Sequence, residues 1–265
     1  MRFSELLDAV RRQPLELSIP ASWAQGRASF GGLVAALQFE AMRAKVPSDR
    51  SVRSLAITFV GPVESDVPVS FEVDVLREGK AVSHVLGRVV QKGQVVTLIQ
   101  GSFGASRPSE VAVSAEPAPE MKHWEECQEL PFVEGLLPEF MRHLAMRWSV
   151  GGMPFSGSTS RQMGGWVRLR DEAKAEALSE AHILALVDAW PPSVLPFLKK
   201  PAMGSTLTWT IEFVQPLLDL STLDWCKYQV ETEYAVDGYG HAAARLWSAD
   251  GRLIAMSRQT VTVFA

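Results

Sequence analysis

The chain contains an internal repeat, and a repeat limits the possible folds before any single motif does. Phe59-Val60-Gly61-Pro62 returns as Phe213-Val214-Gln215-Pro216, each closing an apolar-rich strand. Two residue–glycine pairs follow each copy, Glu78-Gly79 and Lys92-Gly93, then Asp237-Gly238 and Asp250-Gly251. The glycines stand 14 residues apart in the first half and 13 in the second. Such pairs between alternating runs signal β-hairpins. The runs do alternate: Val69, Phe71, Val73 and Val75 point one way and Ser70, Glu72 and Asp74 the other. Tyr228, Val230, Thr232 and Tyr234 repeat this against Gln229, Glu231 and Glu233. A period of two predicts half-buried antiparallel strands.

One helical stretch precedes each set of strands. Gly31 to Lys45 places Leu33, Val34, Leu37 and Ala41 on one face and ends on Arg43 and Lys45, the pattern of a helix with a basic last turn. Ser179 to Trp190 reads as a second helix, with Ser179 as N-cap and Pro191-Pro192 as its stop. Between the halves, Ala105 to Glu129 carries Pro108, Pro117 and Pro119 among Ser, Ala and Glu residues, which is linker chemistry. The expected architecture is α+β. Domains 1–104 and 130–265, joined by the linker 105–129, each consist of one helix and then a meander of long strands that wraps it.

Composition narrows the function. A chain of 265 residues with 47% hydrophobic and 21% charged residues can bury two ordinary cores. A formal net charge of −4 with no basic run argues against a nucleic-acid partner. Two cysteines, Cys127 and Cys226, stand in no redox or metal-ligand spacing and suit a reducing compartment. Met1 to Leu17 mixes Glu5, Asp8, Arg11 and Arg12 with leucines, so it lacks a signal peptide's unbroken apolar core. No run approaches the ~18 apolar residues of a membrane span. The expectation is a cytoplasmic protein.

The chemically unusual residue is Asp188. In Ala181-His182-Ile183-Leu184-Ala185-Leu186-Val187-Asp188-Ala189-Trp190 nearly every position is apolar, and a helix apolar all round is normally buried. A carboxylate there is poorly hydrated and sits at the negative end of the helix dipole. Both effects raise its pKa toward the range of a general base. The alternative is a cap on the turn into Pro191-Pro192. Gly31-Gly32 would let a ligand reach the unpaired N–H groups of a helix's first turn, to hold a phosphate or polarise a carbonyl; equally, the glycines would allow close helix–sheet packing. Gly238-Tyr239-Gly240-His241-Ala242-Ala243 fits a loose dinucleotide pattern but bridges two strands, so it reads as a hairpin. No Gly-x-Ser-x-Gly elbow occurs, and the five histidines show no zinc spacing. No metal or cofactor is expected. His182 lies six residues before Asp188, roughly 9 Å along the axis and on another face, so it reads as a helix-start or core histidine.

These segments resemble the type II acyl-CoA thioesterases, the double-hotdog branch of the hotdog superfamily. Ser29-Phe30-Gly31-Gly32 is similar to that family's Phe-Gly-Gly at the start of the first hotdog helix. Leu76-Arg77-Glu78-Gly79-Lys80 is similar to its Leu-Arg-Asp-Gly turn, and Gly101-Ser102-Phe103 to its closing Ala-Ser-Phe strand. The resemblance implies two tandem hotdog domains, an acyl-CoA substrate and three site residues. The helical aspartate corresponds to Asp188, the threonine ten positions before Pro216 to Thr206, and the glutamine nine positions after Asp250 to Gln259. Together they imply a held water that attacks the thioester directly, with Gly31 and Gly32 at the helix start as oxyanion or substrate contacts. A homodimer is a further expectation.

Two departures bear on this. Trp190-Pro191-Pro192 follows the aspartate, and Trp209 replaces the family's histidine after the threonine. Thr206 also shares parity with Thr208, Thr210 and Glu212, opposite Leu207, Trp209, Ile211 and Phe213. Either that polar face lines the acyl tunnel or a bulge turns Thr206 inward. The rival readings are an acyl-thioester dehydratase or hydratase, for which no His–carboxylate pairing is evident, and a non-catalytic acyl-CoA-binding hotdog protein.

Overall fold

The computed structural model describes residues 1–12, 16–170 and 175–265. The chain begins with helix α1 (Phe3–Arg11), short strands β1 (Leu17–Ser18), β2 (Ala24–Gln25) and β3 (Ala28–Ser29), and helix α2 (Gly31–Arg43). Strands β4 (Ser51–Phe59), β5 (Pro68–Glu78), β6 (Val82–Gln91) and β7 (Gln94–Gly104) complete the first half. The second contains β8 (Leu144–Val150), β9 (Gln162–Leu169), α3 (Glu180–Asp188), β10 (Met203–Phe213), β11 (Cys226–Val236), β12 (Tyr239–Ser248) and β13 (Leu253–Phe264).

Local chemistry explains most of these boundaries. Lys92-Gly93 and Asp237-Gly238 all have positive φ, so both turns have the twist that two-residue hairpins need. Helix α2 ends at Arg43, two residues short of the expected Lys45, and α3 closes at Asp188, two short of Trp190. Ser179 caps α3 in an unusual way, because its backbone N–H and its hydroxyl both meet Nδ1 of His182, at 3.1 and 2.7 Å.

Eleven strands form one antiparallel sheet in the order β1-β5-β6-β7-β4-β10-β13-β12-β11-β9-β8. Its centre is a seam between the halves, where β4 pairs with β10 through Thr58↔Thr208, Ile57↔Trp209 and Leu55↔Ile211. The sheet wraps α2 and α3, which pack side by side and are buried almost all round. This is a tandem double hotdog whose two sheets are continuous.

Bulges alter the simple alternation at two places that matter. Between Thr232 and Tyr234 the β11–β12 register slips, so Tyr234 is 61% exposed and not on the inner face with Tyr228, Val230 and Thr232 as its parity predicts. The second bulge lies on β10 between Thr206 and Thr208. Residues 105–123 cross the outer face of the second half without regular structure. They are tied there by Lys227 Nζ to the Pro119 carbonyl (3.2 Å) and by Trp166 Nε1 to the Lys122 carbonyl (2.9 Å).

Among the described residues, no helix is long and apolar enough to cross a membrane, and no cluster of His, Cys, Asp and Glu is arranged to hold a metal ion.

Candidate active site

Helix α3 ends against the start of α2, and Asp188 stands at that junction. A Cβ on Gly31 would lie 3.0 Å from Asp188 Oδ2 and 3.1 Å from the Phe59 ring. One on Gly32 would lie 2.9 Å from Asp188 Cβ and 2.6 Å from the Phe30 ring. Real Cβ atoms do not pack that closely, so the paired glycines are what admit the aspartate. The Gly32 N–H favours the ionised carboxylate, so an orphan donor of the first turn of α2 acts on a group from the other half of the molecule.

The sheet supplies the next contact. Gln259 on β13 pairs with Trp209 and Ala242 and faces inward with the buried Ser257 and Val261. Its Nε2 donates to Asp188 Oδ1 at 2.9 Å. Trp209 fills the neighbouring inward position, and its Nε1 donates to Ser257 Oγ at 2.8 Å.

Thr206 reaches the same face by way of its bulge. Thr206 pairs with Val261 and Thr208 with Thr260, so Leu207 is the extra residue, and Thr206 faces inward while Thr208 and Thr210 face solvent. Among the described residues its hydroxyl makes no hydrogen bond to Asp188 or Gln259, leaving it one inward position along the sheet from Gln259. The structure therefore brings Asp188, Gln259, Gly31 and Gly32 into contact and sets Thr206 beside them.

Burial dominates the electrostatics. It raises the Asp188 pKa to about 7, while the donors Gln259 and Gly32 pull in the opposite direction. Packing is dense around the carboxyl, yet the residue keeps partial solvent access. A carboxylate that titrates near neutrality is suited to proton transfer.

Aromatic rings complete the surroundings. Trp190 stacks on Tyr228 (5.0 Å, 7°) and Trp148 tilts onto Trp190 (5.2 Å, 54°). Phe30 stacks on Phe140 (4.1 Å, 6°). The Tyr228 phenol is raised by burial and then by the charge of Asp188. Sequence reasoning assigned no role to Phe59, Phe140, Trp148 or Tyr228, because single aromatics in strands and loops carry no signal of what they face.

His182 lies at the opposite end of α3. Burial holds its pKa down at about 4, with a further contribution from Arg11. Arg11 in turn pairs with the buried Glu40 of α2 at 3.0 and 3.1 Å. No histidine contacts Asp188 among the described residues.

A carboxylate and carboxamide on a double-hotdog scaffold, set against a helix N-terminus, define a class of thioester-processing proteins. Comparison with known proteins makes the assignment. Residues 19–104 match the acyl-CoA thioesterase N-terminal domain and residues 124–263 the acyl-CoA thioesterase C-terminal domain. The chain belongs to the acyl-CoA thioesterase family and is a thioester hydrolase. It is 27% identical over 251 residues to acyl-CoA thioesterase 2 of Haemophilus influenzae, covering 88% of this chain and 86% of that one. A hot dog fold protein from Alicyclobacillus acidocaldarius superposes with a TM-score of 0.80 at 24% identity, covering 94% of this chain and 92% of that one. An acyl-CoA thioesterase II from Mycobacterium marinum does so with 0.74 at 17%, covering 99% and 98%.

Proposed function

We propose that the protein hydrolyses acyl-CoA thioesters to free acid and CoA by direct attack of a water held by Asp188, Thr206 and Gln259. The observation that carries this reading is the buried carboxylate of Asp188, bonded by Gln259 and set against the Gly31-Gly32 start of α2. Asp188 takes a proton from the water as its oxygen bonds to the thioester carbon, while Thr206 and Gln259 fix the direction of attack. The Gly31 and Gly32 N–H groups, at the positive end of α2, stabilise the oxyanion. Protonation of Asp188 removes the charge that attracts the Gly32 N–H, freeing that donor as the oxyanion forms. Collapse breaks the C–S bond, and the proton passes from Asp188 to the departing thiolate. The chain's own groups complete this cycle without a covalent intermediate.

The reading extends to the whole chain. Residues 1–104 and 130–265 act as two domains joined by 105–129, the first lending its helix start and the second the three side chains. The protein works on lipid-derived thioesters in the cytoplasm, and copies associate as a homodimer.

Incubation with acyl-CoAs and a thiol-reactive dye tests hydrolysis. CoA release by the wild type and its loss in a folded Asp188→Asn variant are expected. Tight acyl-CoA binding by the wild type with no CoA release would instead identify a carrier.

A further inference from the structure

A cavity of about 600 Å3 opens at the β11–β12 hairpin end of the second half, lined by Val194, Leu198, Thr232, Ala235 and Val263 among others. The volume is that of a small-molecule site. Its position relative to Asp188 follows from the strand register. Thr232, Ala242, Gln259 and Trp209 form one row across β11, β12, β13 and β10. Ala235, Gly240, Val261 and Thr206 form the next row, nearer the hairpin. Thr232 lies two strands from Gln259, about 10 Å at ordinary strand spacing. The same two rows thus carry site residues at one end and cavity wall at the other.

Between the two ends the floor is Gly240 and Ala242, and the Val194 side chain lies over Gly240. Val194 Cγ1 sits 2.5 Å from where a Cβ on Gly240 would be, and Val261 Cγ2 is 3.3 Å from that point. Val194 is held there because Ser193 is anchored to Thr232, whose Oγ1 meets Ser193 Oγ at 2.7 Å and its carbonyl at 3.1 Å. Val194 also lies only six residues beyond Asp188.

The chemistry of the cavity selects its occupant. Its interior is mostly aliphatic and aromatic, and its charged members are Arg161, Glu233 and Asp237. The Arg161 guanidinium is already engaged by the Thr232 and Glu233 carbonyls. Glu233 is itself paired with Arg258, so the lining offers phosphate no unengaged cation beside Asp237, which disfavours the CoA moiety and leaves the hydrocarbon portion of a thioester.

We propose that this cavity receives the distal part of a long acyl chain, with Val194 over Gly240 as the divider that separates short from long acyl groups. The proposal rests on the thioesterase reading above for the identity of the ligand, and it names the substrate class as chains long enough to pass Val194. Apolar burial in the cavity supplies affinity in proportion to the area covered.

Binding of non-hydrolysable S-alkyl-CoA thioethers, measured by calorimetry with butyl, octyl and hexadecyl chains, tests this independently of turnover. Ala235 is exposed, so Ala235→Trp fills the cavity without disturbing the core. This variant is expected to weaken hexadecyl binding roughly tenfold, about 1.4 kcal/mol, and to leave butyl binding unchanged. Val194→Ala is expected to strengthen binding of the longer chains relative to butyl, and Asp188→Asn to keep the wild-type length profile. Equal weakening of all lengths by Ala235→Trp, or no effect on hexadecyl, overturns the proposal. If length-dependent binding persists while the wild type releases no CoA, hydrolysis fails and the cavity assignment stands.

Discussion

The side-chain amide of Gln259 donates to Asp188 Oδ1 at 2.9 Å across 71 residues of sequence. A strand of the sheet thereby regulates the ionisation of a group at a helix end. Burial favours the neutral acid, the two donors favour the carboxylate, and the pKa settles at about 7. Hydrolysis that needs the carboxylate should therefore be low in acid, rise through neutrality and level off above it. Gln259→Leu removes a donor that favours the ionised form, so the midpoint should move to higher pH. A profile of kcat/KM against pH for both proteins checks this.

Asp188→Asn should lower turnover by a factor of roughly 10² to 10⁴, the usual range for a general base. Its effect on stability should be opposite. The folded protein holds the Asp188 proton up to about pH 7, whereas the unfolded chain releases it near 3.8. Ionisation therefore removes stability as pH rises from about 4 through 7. Thermal melting at pH 8 should show the variant a few degrees more stable than wild type, with the advantage shrinking as pH falls below that window.

Gly32→Ala places a methyl group where Phe30 and the Asp188 side chain already stand. The α2–α3 junction must spread, costing about 1–3 kcal/mol as overpacking does. Turnover should fall at least tenfold, because small misplacements of reacting groups are amplified in rate. Denaturant melts and single-turnover assays measure the two effects separately.

Thr206→Val keeps the shape and removes the hydroxyl, so kcat should drop with little change in melting temperature, and Thr206→Ser should restore most of it. Deleting Leu207 removes the bulge residue and makes Thr206 the direct neighbour of Thr208, which keeps Thr206 opposite Val261 on the inner face. That deletion should therefore keep kcat well above that of Thr206→Val, because the hydroxyl still faces inward.

His182 has the reverse linkage to Asp188. Its folded pKa of about 4 lies below the ordinary 6.5, so the unfolded chain takes up the proton first and stability falls as pH drops from about 6.5 toward 4. His182→Gln retains a side-chain acceptor for the Ser179 N–H but cannot titrate. Its acid melting curve should be flatter than wild type over that interval.

What the residues revealed in advance depended on how local the determining forces were. Lys92-Gly93 and Asp237-Gly238 announce their hairpins because turn geometry is a dipeptide property. Asp188 stood out because a charge in an oily helix is anomalous wherever the chain folds. Strand β9 was not legible, since Gly164-Gly165 looks like a break in the chain. In the structure these glycines admit the Tyr228 and Arg147 carbonyls, which would lie 2.2 and 2.0 Å from added Cβ atoms. The parity of Tyr234 misled, because one extra residue reverses every later side chain, whereas the bulge at Thr206 is one of the two readings its parity allows. The β4–β10 seam left no local trace, joining segments about 150 residues apart.

That seam has a consequence for the integrity of the enzyme. The peptide link between the halves runs over the surface, whereas the ladder from β4 to β10 and the contact of α2 with α3 lie inside. A protease that cuts at Arg107, in the exposed stretch of the connection, severs the chain without parting its pieces. The nicked protein should migrate as one particle until denaturant separates it and should keep its hydrolytic rate, because Gly32 and Asp188 are brought together by folding and not by the intervening backbone.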